Sequence, residues 1–109
     1  MKTPYQDSAA LLRALSHPVR LSLLDALCED EQCVCHLTAL VGKRQAYISQ
    51  QLAELRRVCV VKMRKEGLRV YYRVTDARVR VILKSLETPR GANRPARDCV
   101  CPKCAGKGG

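Results

Sequence analysis

The 109-residue chain contains no Trp and no Phe, and its only large aromatic residues are four Tyr. A core of Leu, Val and Ala is therefore expected. At this length a single domain with a modest core is expected, one that dimerisation would help. No run of about 18 apolar residues occurs and no charged-then-apolar segment opens the chain, so a membrane-spanning helix is not expected and the protein is placed in the cytoplasm. Enzymatic equipment is also missing. There is no Ser/His/Asp set, no phosphate-binding Gly loop and no pair of carboxylates in a plausible pocket. Cys35 and His36, adjacent and facing different ways on a helix, make a poor nucleophile–base pair.

Acidic residues are scarce: ten Asp and Glu stand against twenty Lys and Arg, for a net charge of +10. The imbalance is uneven along the chain. Residues 1–42 hold three bases (Lys2, Arg13, Arg20) and five acids (Asp7, Asp25, Glu29, Asp30, Glu31), a net of −2, and the other seventeen bases and five acids leave +12 for the remainder. A basic half beside a neutral or acidic half is the footprint of a polyanion binder, with nucleic acid as the partner. No segment joins this charge to a large exposed apolar face, which argues against an anionic membrane.

What is present in the basic half has a helical period. In VGKRQAYISQQLAEL, residues 41–55, Ile48, Leu52 and Leu55 recur at i, i+4 and i+7 and form one stripe for burial. The opposite arc carries Gln45, Ala46, Tyr47, Ser49, Gln50 and Arg57. Lys43 and Arg44 stand at the amino-terminal end, where helix N–H groups favour a phosphate. Gln pairs bidentately with adenine and Lys or Arg neutralises phosphate, so this stretch reads as a DNA-recognition helix. An ordinary solvated amphipathic helix has the same stripe; what surrounds it decides.

Before it, SAALLRAL (residues 8–15) predicts a short first helix. Ser16-His17-Pro18 ends it and starts a second that runs to about Cys28, with Pro18 in the first helical position and His17 as a helix-start residue. Arg20, on an early turn, is expected to be structural or to meet phosphate. The segment from Cys33 to Val41 predicts a third helix closed by Gly42. A short helix, a Gly-containing turn and a longer amphipathic helix make a helix-turn-helix.

After Arg57 the period falls to two. Val60–Arg64 and Arg69–Val74 predict a hairpin joined through Lys65-Glu66-Gly67-Leu68, a basic wing in which Lys62, Arg64, Lys65 and Arg69 would meet phosphate or the minor groove. Lys and Arg that merely keep an edge hairpin soluble are the alternative. Asp76 is placed to cap a last helix through Glu87, with Val79, Ile82, Leu83 and Leu86 as its apolar face. The expected fold is mainly α with a β-hairpin wing (α+β), a winged helix-turn-helix in the order α-α-α-α-β-β-α. Residues 1–87 form the DNA-binding domain, dimeric through its first and last helices to match a palindromic operator. Residues 88–109 turn to Pro, Gly, Arg and Asn and read as a flexible Cys-rich tail.

Seven cysteines are an excess that needs a reason. The number is odd and no secretory signal precedes them, so metal or redox chemistry is favoured over a disulfide framework. Two cysteines at i and i+2 of an ideal helix point about 200° apart, so Cys33 and Cys35 are expected to share an ion only if the third helix bends or unwinds. Such unwinding next to the recognition helix would be a switch. Soft thiolates favour arsenite, antimonite, cadmium, lead or zinc. Cys99, Cys101 and Cys104 of the tail have no core to occupy. They would complete the Cys33/Cys35 site in the same subunit or the other, or form a trigonal site of their own. Thiol oxidation, sulfide or persulfide is the competing input. Cys28 is expected to be a small buried apolar residue, Cys59 a turn or core residue, and His36 a helix-surface residue.

The order of elements and four motifs, SHPVRL (16–21), QCVCHL (32–37), ISQQLAEL (48–55) and GLRVYYRV (67–74), resemble the ArsR/SmtB family of winged-helix metal-sensing repressors. The resemblance spans roughly residues 8–87. It implies a homodimeric repressor that leaves double-stranded operator DNA when thiolates bind a metal(loid), with As(III) or Sb(III) favoured and Cd(II), Pb(II) or Zn(II) following. Arsenite-binding members commonly carry a third cysteine where this chain has Thr38, so the box is incomplete as a three-thiolate site. A zinc site on the last helix is not implied, because His17 and His36 are the only histidines. Cys59 stands where the family often has Gly.

Overall fold

The computed structural model describes residues 4–86. Cys99, Cys101, Cys104 and the expected tail, with Glu87, the expected end of the last helix, lie outside them. The elements are α1 (Pro4–Leu15), α2 (Pro18–Glu29), β1 (Gln32–Cys33), α3 (Val34–Val41), α4 (Gln45–Arg57), β2 (Val61–Glu66), β3 (Arg69–Val74) and α5 (Ala77–Ser85). The winged helix-turn-helix expected from the sequence is present, and one strand adds to it. β1 joins the wing, giving an antiparallel sheet in the order β1-β3-β2. A two-residue strand is too short to show a period. Helix α1 begins four residues before Ser8, with Asp7 in its first turn.

The helix ends follow local chemistry. His17 caps α2, its Nδ1 accepting the Val19 N–H at 3.1 Å. Gly42 closes α3 at φ 75°, donating its N–H to the Thr38 carbonyl at 2.9 Å. The hairpin is tighter than the sequence indicated. β2 runs on through Glu66, leaving a two-residue turn, Gly67-Leu68, with Gly67 at φ 60° as such turns require.

The main core gathers Leu11 and Leu15 of α1, Leu23, Leu24 and Leu27 of α2, Val34 and Leu37 of α3, and Ile48, Leu52 and Leu55 of α4. Val61, Tyr72 and Val74 of the sheet and Val79 and Leu83 of α5 complete it. The predicted stripe of α4 is wholly inside, each of its three residues 0 % exposed. One polar link runs through the core edge. The Arg20 guanidinium donates to Gln51 Oε1 at 2.8 Å and to the Ala14 carbonyl at 3.2 Å, tying the ends of α1 and α2 to the inner side of α4. Arg20 is structural here, one of the two roles expected for it.

Cys59 has φ 63°, the left-handed region that costs an L-residue roughly 1–2 kcal/mol. It turns the chain from α4 into the wing, with its N–H on the Arg56 carbonyl at 2.9 Å. Cys59→Gly is expected to raise stability by about 0.5 kcal/mol, the relief of strain exceeding the added chain entropy, and urea denaturation will measure it. At α5, Asp76 is the N-cap and accepts the Arg78 N–H at 2.9 Å. Hydrogen bonds from the Arg78 side chain hold its carboxyl below the usual 3.8. A depressed folded pKa stabilises above the ordinary value and fades as pH falls through the folded one. Asp76→Ala should therefore cost about 1 kcal/mol near neutrality and progressively less below pH 3.8, as urea midpoints at several pH values will register.

Candidate DNA interface and thiol pair

Helix α4 and the two residues before it carry the side chains proposed for the DNA contact, and these are unequally exposed. Lys43, Arg44, Gln45, Ala46, Gln50 and Arg57 are exposed, while Tyr47 and Ser49 are half-buried. Tyr47 packs against the core. Arg57 pairs with Glu54 at 3.3 Å, one turn back on α4. Arg44 occupies the N-cap position of α4 without a side-chain cap bond. The first N–H groups of α4 thus meet two exposed cations and no competing acceptor from the cap residue, the arrangement a phosphate favours.

The wing has two faces, set by alternation along its strands and by register. Lys62 lies opposite Arg73, Arg64 opposite Tyr71, and Glu66 opposite Arg69, so these six share one face. Val61, Tyr72 and Val74 share the other, which is buried in the core. Lys62, Lys65 and Arg73 are exposed. Arg73 was missed by the sequence reading; its alternation with Tyr72 and Val74 was the signal that could have found it. Arg64, expected as a phosphate contact, is engaged within the protein. Its guanidinium binds both carboxylate oxygens of Glu31 at 2.6 and 3.1 Å and Glu66 at 3.0 Å. It also lies 4.8 Å from the centre of the Tyr71 ring. The Glu31 and Glu66 hydrogen bonds raise its already high pKa further. Arg69 is half-buried and donates to Cys35 Sγ at 3.7 Å.

The thiols stand differently from the sequence expectation. Cys33 is not inside α3: it is the N-cap, extended at φ −81° and ψ 158°, and its Sγ accepts the His36 N–H at 3.3 Å. Released from helical geometry, it turns its sulfur to 2.7 Å from Cys35 Sγ. The predicted 200° divergence does not arise, and no unwinding is needed to bring the two sulfurs together. Cys33 is buried and Cys35 half-buried. His36 is also corrected: at 5 % exposure it is buried, because the first turn of α3 lies between α2 and β3. Thr38, in place of a third cysteine, donates its hydroxyl to the Val34 carbonyl at 2.8 Å.

Two soft donors in contact fit part of a thiophilic ion's coordination shell. Among the described residues no third His, Cys, Asp or Glu joins them as a possible ligand group. Cys28 packs at the margin of the core, and Cys59 is exposed in its turn.

The sequence pattern described as "Bacterial regulatory protein, arsR family" matches residues 17–68. The "Biofilm growth-associated repressor" of Xylella fastidiosa is 38 % identical over 88 residues, covering 81 % of this chain and 77 % of that one. The chain belongs to the ArsR family. The crystal structure of the transcriptional repressor BigR from Xylella fastidiosa superposes with a TM-score of 0.70 at 39 % identity, over 73 % of this chain and 82 % of that one. A "Putative arsenical resistance operon repressor ArsR2" of Halobacterium salinarum is 37 % identical over 83 residues, 74 % of this chain and 69 % of its own. This ArsR-family protein is a DNA-binding transcriptional repressor and not an enzyme. Among the described residues no helix is long and apolar enough to cross a membrane.

Two substitutions separate the roles on the interface. Gln50→Ala should cost about 1–3 kcal/mol on the operator and little on unrelated DNA, whereas Lys43→Ala should weaken both and reduce the salt slope by about 1. Anisotropy titrations at several salt concentrations will tell them apart; equal losses on both DNAs for Gln50→Ala would remove it from base reading.

Proposed function

We propose that this repressor is a homodimer that holds operator DNA through α4 and the wing, and releases it when Cys33 and Cys35 capture a thiophilic metal(loid). Arsenite and antimonite lead, and Cd(II), Pb(II) and Zn(II) follow. The observation that carries this reading is the pair of sulfurs 2.7 Å apart beside Tyr71 of the wing. A trivalent metalloid needs one ligand beyond this pair, and Cys99, Cys101 or Cys104, from the same subunit or its partner, is the donor proposed here. Cys33 and Cys35 would hold the ion, which would link the two sulfurs covalently. Binding acts on DNA because its affinity differs between the operator-bound and free forms. The putative arsenical resistance operon repressor among the relatives supports the metalloid reading.

The dimer is supported by apolar residues left exposed on the first and last helices. Tyr5 and Leu12 on α1 and Val81 on α5 are 77, 56 and 67 % exposed, and Leu86, next to the end of α5, is 51 % exposed. Their burial against a second copy would space two recognition helices for a two-fold operator.

Thiol oxidation is the second reading, favoured by the same contact. An oxidant that takes two electrons and two protons from the pair would bridge it without a metal.

The deciding measurement is operator affinity of reduced, metal-free protein before and after one equivalent of arsenite per monomer. Release by at least about tenfold is expected from the intact chain and none from Cys33→Ser/Cys35→Ser. Removal of the chain after Arg97 then reports whether the last three cysteines donate a ligand. Indifference to arsenite, antimonite, cadmium, lead and zinc alike would end the metal(loid) reading.

A further inference from the structure

The thiol pair is built into the wing. β1 is the wing's third strand, with Cys33 directly opposite Tyr71 and Gln32 opposite Tyr72. Cys33 and Tyr71 form a small buried cluster of their own, and Cys35 packs against it. The stripe of α4, Ile48, Leu52 and Leu55, belongs to the separate main core. Register places Tyr71 on the sheet face opposite to Tyr72, so the sulfurs lie on the side of the wing turned away from that core.

Two side-chain links reinforce the ladder. Arg64 of β2 grips Glu31, the residue before β1, through two hydrogen bonds and covers Tyr71 with its guanidinium. Arg69, the first residue of β3, reaches Cys35 Sγ at 3.7 Å. Segment 31–35 is thereby held to the wing by backbone pairing, by an ion pair and by a guanidinium–sulfur contact. Cys33 lies against Tyr71, so a shift of its sulfur bears first on Tyr71 and, through the ladder, on the strands that carry Lys62, Lys65 and Arg73. Helix α3 also packs on α4, and its Val34 and Leu37 share the main core with the stripe of α4, whereas Cys33 and Cys35 belong to the cluster around Tyr71.

We propose that the wing is the output of the thiol pair, and that Arg64 and Arg69 are positioning residues that transmit ligand capture to it. Ligand capture tilts the wing off the DNA while the fold of the recognition helix stays as it is. This inference rests on the reading of Cys33 and Cys35 as the sensing pair but not on the identity of the natural effector.

The test uses phenylarsine oxide, which bridges two close thiols. Two As–S bonds form, the As–O bond is lost with both thiol protons as one water, and arsenic stays trivalent. The full-length chain with Cys99, Cys101 and Cys104 replaced by Ser confines the reagent, and mass spectrometry locates it on Cys33 and Cys35. Hydrogen exchange of the DNA-free protein is expected to change in residues 61–74 and to stay constant in 45–57. The factor by which the reagent weakens operator binding is expected to fall at least about fivefold in Arg69→Met and in Glu31→Gln, with reagent uptake unchanged. The proposal is overturned if exchange changes in 45–57 and not in 61–74, or if the weakening factor is the same in wild type and both variants. It is overturned equally if the bridged wild type binds operator as before. A chain that ignores arsenite but answers phenylarsine oxide through the wing loses its proposed effector and keeps this coupling.

Discussion

What α4 offers to DNA hangs on the burial of its inner side. Ile48, Leu52 and Leu55 are wholly enclosed, and each contributes roughly 1.5–3 kcal/mol relative to exposure. That burial fixes which residues face outward, since on a helix the inner stripe determines the outer arc. Rotation about the helix axis is further restrained by Gln51, whose amide oxygen takes the Arg20 guanidinium at 2.8 Å. A buried hydrogen bond to a charged group is directional where apolar contact is not. Three Leu and Ile side chains hold the helix in, and one Gln–Arg bond sets its angle.

Charge is arranged around this frame in two ways. At the start of α4 and on the exposed positions of the wing, cations stand with open surroundings, where a phosphate backbone gains most from them. Arg64 and Arg78, although exposed, are instead paired with carboxylates of the protein, Arg64 with Glu31 and Glu66 and Arg78 with Asp76. Net charge alone therefore overstates the surface available to a polyanion. The wing's two strands contain both kinds of cation within a few residues of each other.

Much of this was legible in the sequence because its signals are periodic. The stripe of α4 extends over two turns, the run Val79, Ile82, Leu83 over more than one, and the alternation of RVYYRV over a whole strand, long enough for a period to be read. Gly42 and Asp76 announced their caps by residue type. What stayed hidden depends on a single residue's backbone or on a distant partner. Cys33 sits at the boundary where extended chain becomes helix, and a shift of one residue there converts divergent sulfurs into touching ones. β1 is two residues long and exists only through its pairing with β3. The engagement of Arg64 with Glu31 spans 33 residues, and no local pattern indicates it. The burial of His36 likewise follows from what α2 and β3 place around the first turn of α3.

The seat of Cys33 carries an evolutionary consequence. The N-cap position favours a side chain that accepts a backbone N–H, and Ser, Thr, Asp and Asn fill it most often. Here a sulfur does that work for the His36 N–H. A hydroxyl could replace it with the helix start intact, and Ser and Cys codons are one nucleotide apart. The soft donor is thus installed at a point where the scaffold tolerates its gain or loss, so a lineage of such repressors could acquire, abandon or retune chemical sensitivity without first having to repair its fold.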